Sequence, residues 1–127
     1  MLLDTCTLLW LARDDAQLSA TARAEMAGAR GSLFVSSISA AEIGIKHASG
    51  KLVLPRAVSQ WFAQALALHG LIELPVTSGI IFRSLELPPL HRDPADRVLV
   101  ATALMHRLPI LTPDRMIGSY PGVNVIW

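Results

Sequence analysis

Short apolar runs, each handed on to a helix-starting residue, organise this chain from end to end. Met1–Leu3 reads as a strand, and Leu8–Ala12 as the beginning of a helical turn. Ser19 stands as an N-cap for a helix reaching about Ala29, with Gly28 and Gly31 bracketing its end. Leu33–Val35 is a second buried strand. Ser39 starts a helix to about Ser49, closed by Gly50. Pro55 opens another over Arg56–His69, where Trp61, Phe62, Ala65, Leu66 and Leu68 are apolar and Gly70 is the stop. Leu71–Leu74 is a strand, and Thr77–Leu87 is a helix ended by Pro88 and Pro89. Pro94–Arg107 is the strongest helix of the chain, with proline at its first position. Pro109–Leu111 and Val123–Ile126 supply the last strands. Strands that are short, uniformly apolar and alternate with helices have both faces covered. The pattern predicts a three-layer α/β/α sandwich around a central, mainly parallel sheet, in a single domain over residues 1–127.

Composition narrows the class. The chain is 52% hydrophobic and 17% charged, with a mean hydropathy of +0.45. Even so, every apolar run is interrupted well short of the roughly 18 residues that would read as a membrane span. No basic region precedes the first apolar stretch, so it does not read as a secretory signal. The single cysteine, Cys6, excludes an internal disulfide and fits a reducing cytoplasm. The excess hydrophobicity points to an apolar surface for a partner or a second copy. A net charge of +1 excludes a strongly basic coat, so any nucleic-acid contact must come from a local basic patch.

The acidic residues change the picture most. The chain has only ten, and four of them, Asp4, Glu42, Asp96 and Asp114, sit at strand-to-helix junctions. In an open α/β sheet the carboxyl ends of the strands converge on one crevice. Four carboxylates there would repel one another unless a cation joined them, and hard divalent ions favour such oxygen donors. Three of the four also have an ordinary reading. Ser39-Ala40-Ala41-Glu42 has the spacing of a capping box. Asp93-Pro94-Ala95-Asp96 places an N-cap and an N3 acid, and Thr112-Pro113-Asp114 puts an acid in a first turn that the helix dipole favours. Asp4 is harder to explain as a cap. It follows a strand among Leu2, Leu3, Leu8 and Leu9, and a buried carboxylate without a partner is costly.

Other chemistry is weaker. Gly44, Gly50 and Lys51 have the wrong spacing for a phosphate-binding loop, and Leu52 replaces its hydroxyl residue. Asp4-Thr5-Cys6-Thr7 lacks the second aspartate of an aspartyl-phosphate motif. The four histidines show no zinc spacing, and His91 reads as a surface residue of the loop that carries Asp93. No histidine partner is evident for Cys6 as a nucleophile. Arg92, Arg97 and Arg115 flank Asp96 and Asp114, either paired with them or placed to hold a nucleic-acid backbone.

LLDTCTLLW, VSSISAAEIGIK, GKLVLP, LHRDPADRVLVATA and ILTPD, in that order, resemble the PIN-domain family, and within it the VapC-type toxins, from Met1 to about Tyr120. The initial LDT together with DPADRVLVATA is the most specific part. The resemblance implies a PIN-like α/β/α sandwich and a metal-dependent ribonuclease, the toxin of a type II toxin–antitoxin system. It implies Asp4, Glu42, Asp96 and Asp114 as the catalytic acids. Asp4, Asp96 and Asp114 would hold one or two Mg²⁺ or Mn²⁺ ions for hydrolytic attack that leaves 5′-phosphate and 3′-hydroxyl ends. Asp93 rivals Asp96, but the acid directly before the R-x-L-x-A-x-A run is Asp96, which leaves Asp93 as the cap. Thr5, Arg97, Thr112 and Arg115 are the expected substrate contacts. RNA, a VapB-type antitoxin and a second copy of the chain are the expected partners, in the cytoplasm and without a membrane. Cys6 and Ala41 depart from the family, which often has histidine and a large aromatic there; neither is an acid. A PIN nuclease outside toxin–antitoxin biology and a non-catalytic interaction module are the alternative functions.

Overall fold

The computed structural model describes residues 1–127. Five strands, β1 (Leu2–Leu3), β2 (Phe34–Ser36), β3 (Ile72–Leu74), β4 (Ile110–Leu111) and β5 (Val125–Ile126), form one sheet. Their spatial order is β3-β2-β1-β4-β5, and every pairing is parallel. The helices are α1 (Thr5–Arg13), α2 (Ala20–Gly28), α3 (Ser37–Ala48), α4 (Val58–His69), α5 (Ser78–Leu85) and α6 (Pro94–His106). The expected α/β/α sandwich therefore forms, and its sheet is parallel throughout.

Successive strand residues point to opposite faces, and two cores result. Leu3, Val35 and Leu111 pack with Leu8, Met26, Ile43, Trp61 and Phe62 from α1–α4. Leu2 and Ile110 pack with Ile80, Val98, Val100 and Tyr120 on the side of α5 and α6. Both residues of β1 are fully buried, which is why the sequence there shows no alternation.

The chain runs from β1 outward to β2 and β3, then crosses back to place β4 and β5 on the other side of β1. The order reverses between β1 and β4, and this is where a parallel sheet opens a crevice at the carboxyl ends of its strands. The residues just beyond Leu3, Ser36 and Leu111 are thereby gathered at one end of the molecule.

Two local expectations are corrected. Ser39 does not cap α3: the helix starts at Ser37, and Ser36, the last residue of β2, caps it by accepting from the Ile38 N–H at 3.2 Å. β2 turns into α3 with no intervening loop, so the cap falls on the strand residue and Ser39 lies fully buried inside the first turn. The capping box with Glu42 therefore does not exist. Asp114 lies not in a helical first turn but in a turn before the short 3₁₀ segment Ile117–Ser119. Elsewhere Ser19, Thr77 and Asp93 cap α2, α5 and α6. Gly70 ends α4 at a φ of +61°, a conformation other residues adopt reluctantly.

The junction between α1 and β4 is held by Thr7, a fully buried residue whose hydroxyl donates to the Leu111 carbonyl at 2.9 Å. Thr7→Val keeps the shape and removes the donor. It is expected to lower stability by about 1 kcal/mol, read as a shift of the urea midpoint at unchanged slope; an unmoved midpoint would show the bond to be dispensable.

Candidate active site

Asp4 stands where β1 becomes α1. Its Oδ1 accepts from the Thr7 N–H at 2.7 Å, capping the helix, and its Oδ2 accepts from the Thr112 hydroxyl at 2.5 Å. One carboxylate thus joins the ends of β1 and β4, and it is only 8% exposed. Thr112 in turn accepts from the Asp114 N–H at 3.1 Å. Across the crevice, the Thr5 hydroxyl donates to Glu42 Oε1 at 2.7 Å and lies 3.0 Å from Ser39 Oγ, tying α1 to α3. With no capping box to join, Glu42 sits in the second turn of α3, facing α1. Asp96 occupies the first turn of α6, behind Pro94 and the capping Asp93.

Asp4, Thr5, Glu42, Asp96 and Asp114 line one crevice of about 210 Å³, where they and Asp93 meet a single ammonium, that of Lys46. Ligand atoms of Glu42, Asp93 and Asp96 lie within 4.8 Å of one another, as do those of His91, Asp96 and Asp114, so Asp96 belongs to both groups. Asp93 caps α6 as expected, accepting from the Ala95 N–H at 2.9 Å. Its carboxylate nevertheless lies within the acidic cluster, because two acids three residues apart share one face of the first turn. Lys46 was missed in the sequence, although its position four residues after Glu42 was a usable signal.

Burial and mutual repulsion set the electrostatics. Burial pushes the Asp4 carboxyl up; the Thr112 and Thr7 hydrogen bonds oppose this, and the Asp114 charge reinforces it. Glu42 is raised by burial, opposed by its Thr5 bond, with Asp96 and Asp93 adding repulsion. Asp96 is raised by burial and then by Asp93, while His91 acts in the opposite sense. The Cys6 thiol is raised by burial and by the Asp4 charge, which keeps it protonated and unsuited to nucleophilic attack. The donor set is all carboxylate oxygen on the acidic residues, held partly out of water with too few cations to neutralise it. That chemistry fits a hard divalent cation.

The expected substrate contacts fare differently. Thr5 and Thr112 are 5% and 1% exposed, and their hydroxyls are engaged with Glu42 and Asp4; Thr5 also lines the crevice. Arg97 is turned elsewhere. Its guanidinium donates to the carbonyls of Ser84 (2.8 Å), Leu87 (2.9 Å) and Pro88 (2.9 Å), stapling the segment between α5 and α6. Arg115 is exposed beside Asp114. His91 overturns its reading as a surface residue: its side chain is 8% exposed, and its Nε2 lies 3.0 Å from Asp114 Oδ2.

The PIN domain family model matches residues 1–122. Among solved structures, the chain is similar to one from VapBC2 of Rickettsia felis bound to a DNA fragment from its promoter, with a TM-score of 0.72 and 14% identity over 98% of this chain and 95% of that one. DNA-bound VapBC from Salmonella typhimurium gives a TM-score of 0.68 and 16% identity over 98% and 94%. FitAcB from Neisseria gonorrhoeae gives 0.66 and 19% over 98% and 94%. At these identities the likeness is one of fold. No significant match is found among curated proteins.

A carboxyl whose folded-state pKa is raised binds its proton more readily folded than unfolded. It therefore costs the metal-free protein stability as pH rises from the ordinary carboxylate range through the raised value. Asp4→Asn keeps an acceptor for the Thr7 N–H and removes the charge. In chelator-treated protein the variant is expected to melt above wild type at pH 7, with the gap closing as pH falls and Asp4 protonates. A variant melting at or below wild type at pH 7 would contradict this account of the crevice.

Proposed function

The chain belongs to the PIN-domain family, and from that premise we propose that it is a metal-dependent endoribonuclease, a single-domain toxin of a type II toxin–antitoxin system acting in the cytoplasm. The observation that carries the proposal is the meeting of Asp4, Glu42, Asp96 and Asp114 in one crevice at the point where the strand order reverses.

In this reading Asp4, Asp96 and Asp114 hold Mg²⁺ or Mn²⁺, which when bound supplies Lewis acidity and charge neutralisation for phosphodiester hydrolysis. The residues of the chain do the positioning. Asp4 is clamped by Thr7 and Thr112, so its remaining lone pairs have fixed directions. Glu42 has Oε1 tied to Thr5, leaving its other oxygen to accept a hydrogen bond from the attacking water. Lys46 and the exposed Arg115 are the cations available to phosphate oxygens at the crevice. RNA enters as a strand that must locally open to reach so narrow a site.

An antitoxin of VapB type is the proposed partner. A larger apolar groove of about 580 Å³ supports it, lined by Leu11, Leu18, Met26, Leu33 and Leu68, with Arg23 and Arg30 among its basic residues. Its walls include residues just before β2 and β3, so it lies toward the end of the sheet where strands begin, away from the acids. A peptide using both sites would run along α1 and present a cation to the crevice. A second copy of the chain is proposed to cover α5, where Phe82 and Leu85 are 64% and 72% exposed.

Purified protein is expected to cleave RNA only with Mg²⁺ or Mn²⁺ added, and Asp4→Asn and Asp96→Asn to lose about a hundredfold or more of that rate. Metal-dependent cleavage surviving in both variants would sink the assignment. Induced expression is expected to arrest growth, with relief by Asp4→Asn or by the product of an adjacent antitoxin gene. Cleavage without growth arrest would point to a PIN nuclease of RNA processing instead.

A further inference from the structure

His91 is the only one of the four histidines to meet a carboxylate, and everything around it serves to hold it still. Its ring stacks on Tyr120 with centroids 5.5 Å apart and planes 10° from parallel. Tyr120 is itself only 2% exposed. The Tyr120 hydroxyl oxygen accepts from the His91 backbone N–H at 2.9 Å and lies 3.2 Å from His91 Nδ1. Having accepted from the backbone, the hydroxyl has its own proton to give to Nδ1. Nε2 then carries the imidazole hydrogen, which it donates to Asp114 Oδ2 at 3.0 Å. Each polar group in the chain of bonds has a partner of the right kind.

Asp114 needs such support. It sits on a turn rather than a helix, and its side chain is 41% exposed. Its Oδ1 accepts from the Met116 N–H at 2.9 Å; with Oδ2 held by His91, both oxygens are gripped and the carboxylate plane is set. The segment bearing His91 is itself secured, since Arg97 binds three carbonyls at positions 84, 87 and 88.

We propose that His91 is a positioning residue for the metal site: held by Tyr120 and by the Arg97-stapled segment, it fixes Asp114 so that the free lone pairs of that carboxylate face the crevice. This rests on the reading of Asp114 as a metal ligand given above. It assigns a job to a histidine whose sequence context marks it as ordinary loop, and it explains why Arg97, beside Asp96, points away from the crevice. A histidine that gives its Nε2 hydrogen to a carboxylate ligand raises the order of that ligand without touching the ion.

Two substitutions separate the bonds. His91→Gln retains an amide N–H near the position of Nε2 and so reaches Asp114. His91→Asn resembles Nδ1 in reach and leaves Asp114 ungripped. Mn²⁺ titrated calorimetrically into metal-free protein is expected to bind His91→Gln close to wild type and His91→Asn about tenfold or more weakly. In an Asp114→Asn background, His91→Asn is expected to cause no further loss. Wild-type affinity in His91→Asn would overturn the proposal. Equal loss in the two variants would make His91 a direct ligand, and an undiminished loss in the Asp114→Asn background would make its role general packing; either result overturns the proposal. Absence of Mn²⁺ binding by the wild type would instead overturn the metal reading itself, and the inference with it.

Discussion

Asp4 is bound at one oxygen by the backbone of α1 and at the other by a threonine beyond β4, and this double attachment organises the acidic end of the fold. A carboxylate 8% exposed is tolerable only because both oxygens have donors. To supply them, α1 must begin directly after Asp4, at Thr5, and β4 must lie beside β1. Parallel pairing of Leu3 with Leu111 achieves the second, and the Thr7 bond to the Leu111 carbonyl reinforces it. The central place of β1, buried on both faces, follows from the same requirement.

Around that clamp the crevice is built in two tiers. Carboxylates from four separate segments face inward, and hydroxyl or imidazole donors stand behind three of them: Thr112 behind Asp4, Thr5 behind Glu42, His91 behind Asp114. The donors fix orientation but leave the charge uncompensated, and Asp4, Glu42 and Asp96 are raised by burial and by neighbouring carboxylates. The fold holds this unfavourable arrangement because the hydrophobic layers on either side of the sheet are stabilised independently of it. The result is an anionic cavity prepared for a cation.

Much of this was legible residue by residue. Apolar runs located all five strands, and proline at the first position with Asp93 before it marked the start of α6 correctly. Asp4 stood out because its neighbours implied burial. Ser39 misled because the spacing of a capping box is also the spacing of one helical turn; only the absence of a loop after β2 decides between them. Arg97 misled for a related reason. Adjacency to Asp96 in sequence puts it about 100° around the helix, where it meets carbonyls of the preceding segment rather than the crevice.

The linear sequence determined the alternation of elements, the two-sided burial of the sheet and the residues able to carry carboxylate chemistry, since those depend on near neighbours and side-chain type. It did not determine which donors stand behind which acid. Thr112 is bonded to Asp4 across 108 positions and Thr5 to Glu42 across 37; no local rule reaches that far. The admission of Asp93 and Lys46 to the crevice and the burial of His91 against Tyr120 were likewise decided only when the crossover from β3 to β4 brought α6 and the final turn against the end of β1. Local preference sets what each segment is, while chain topology sets which side chains share the same few ångströms of dehydrated space.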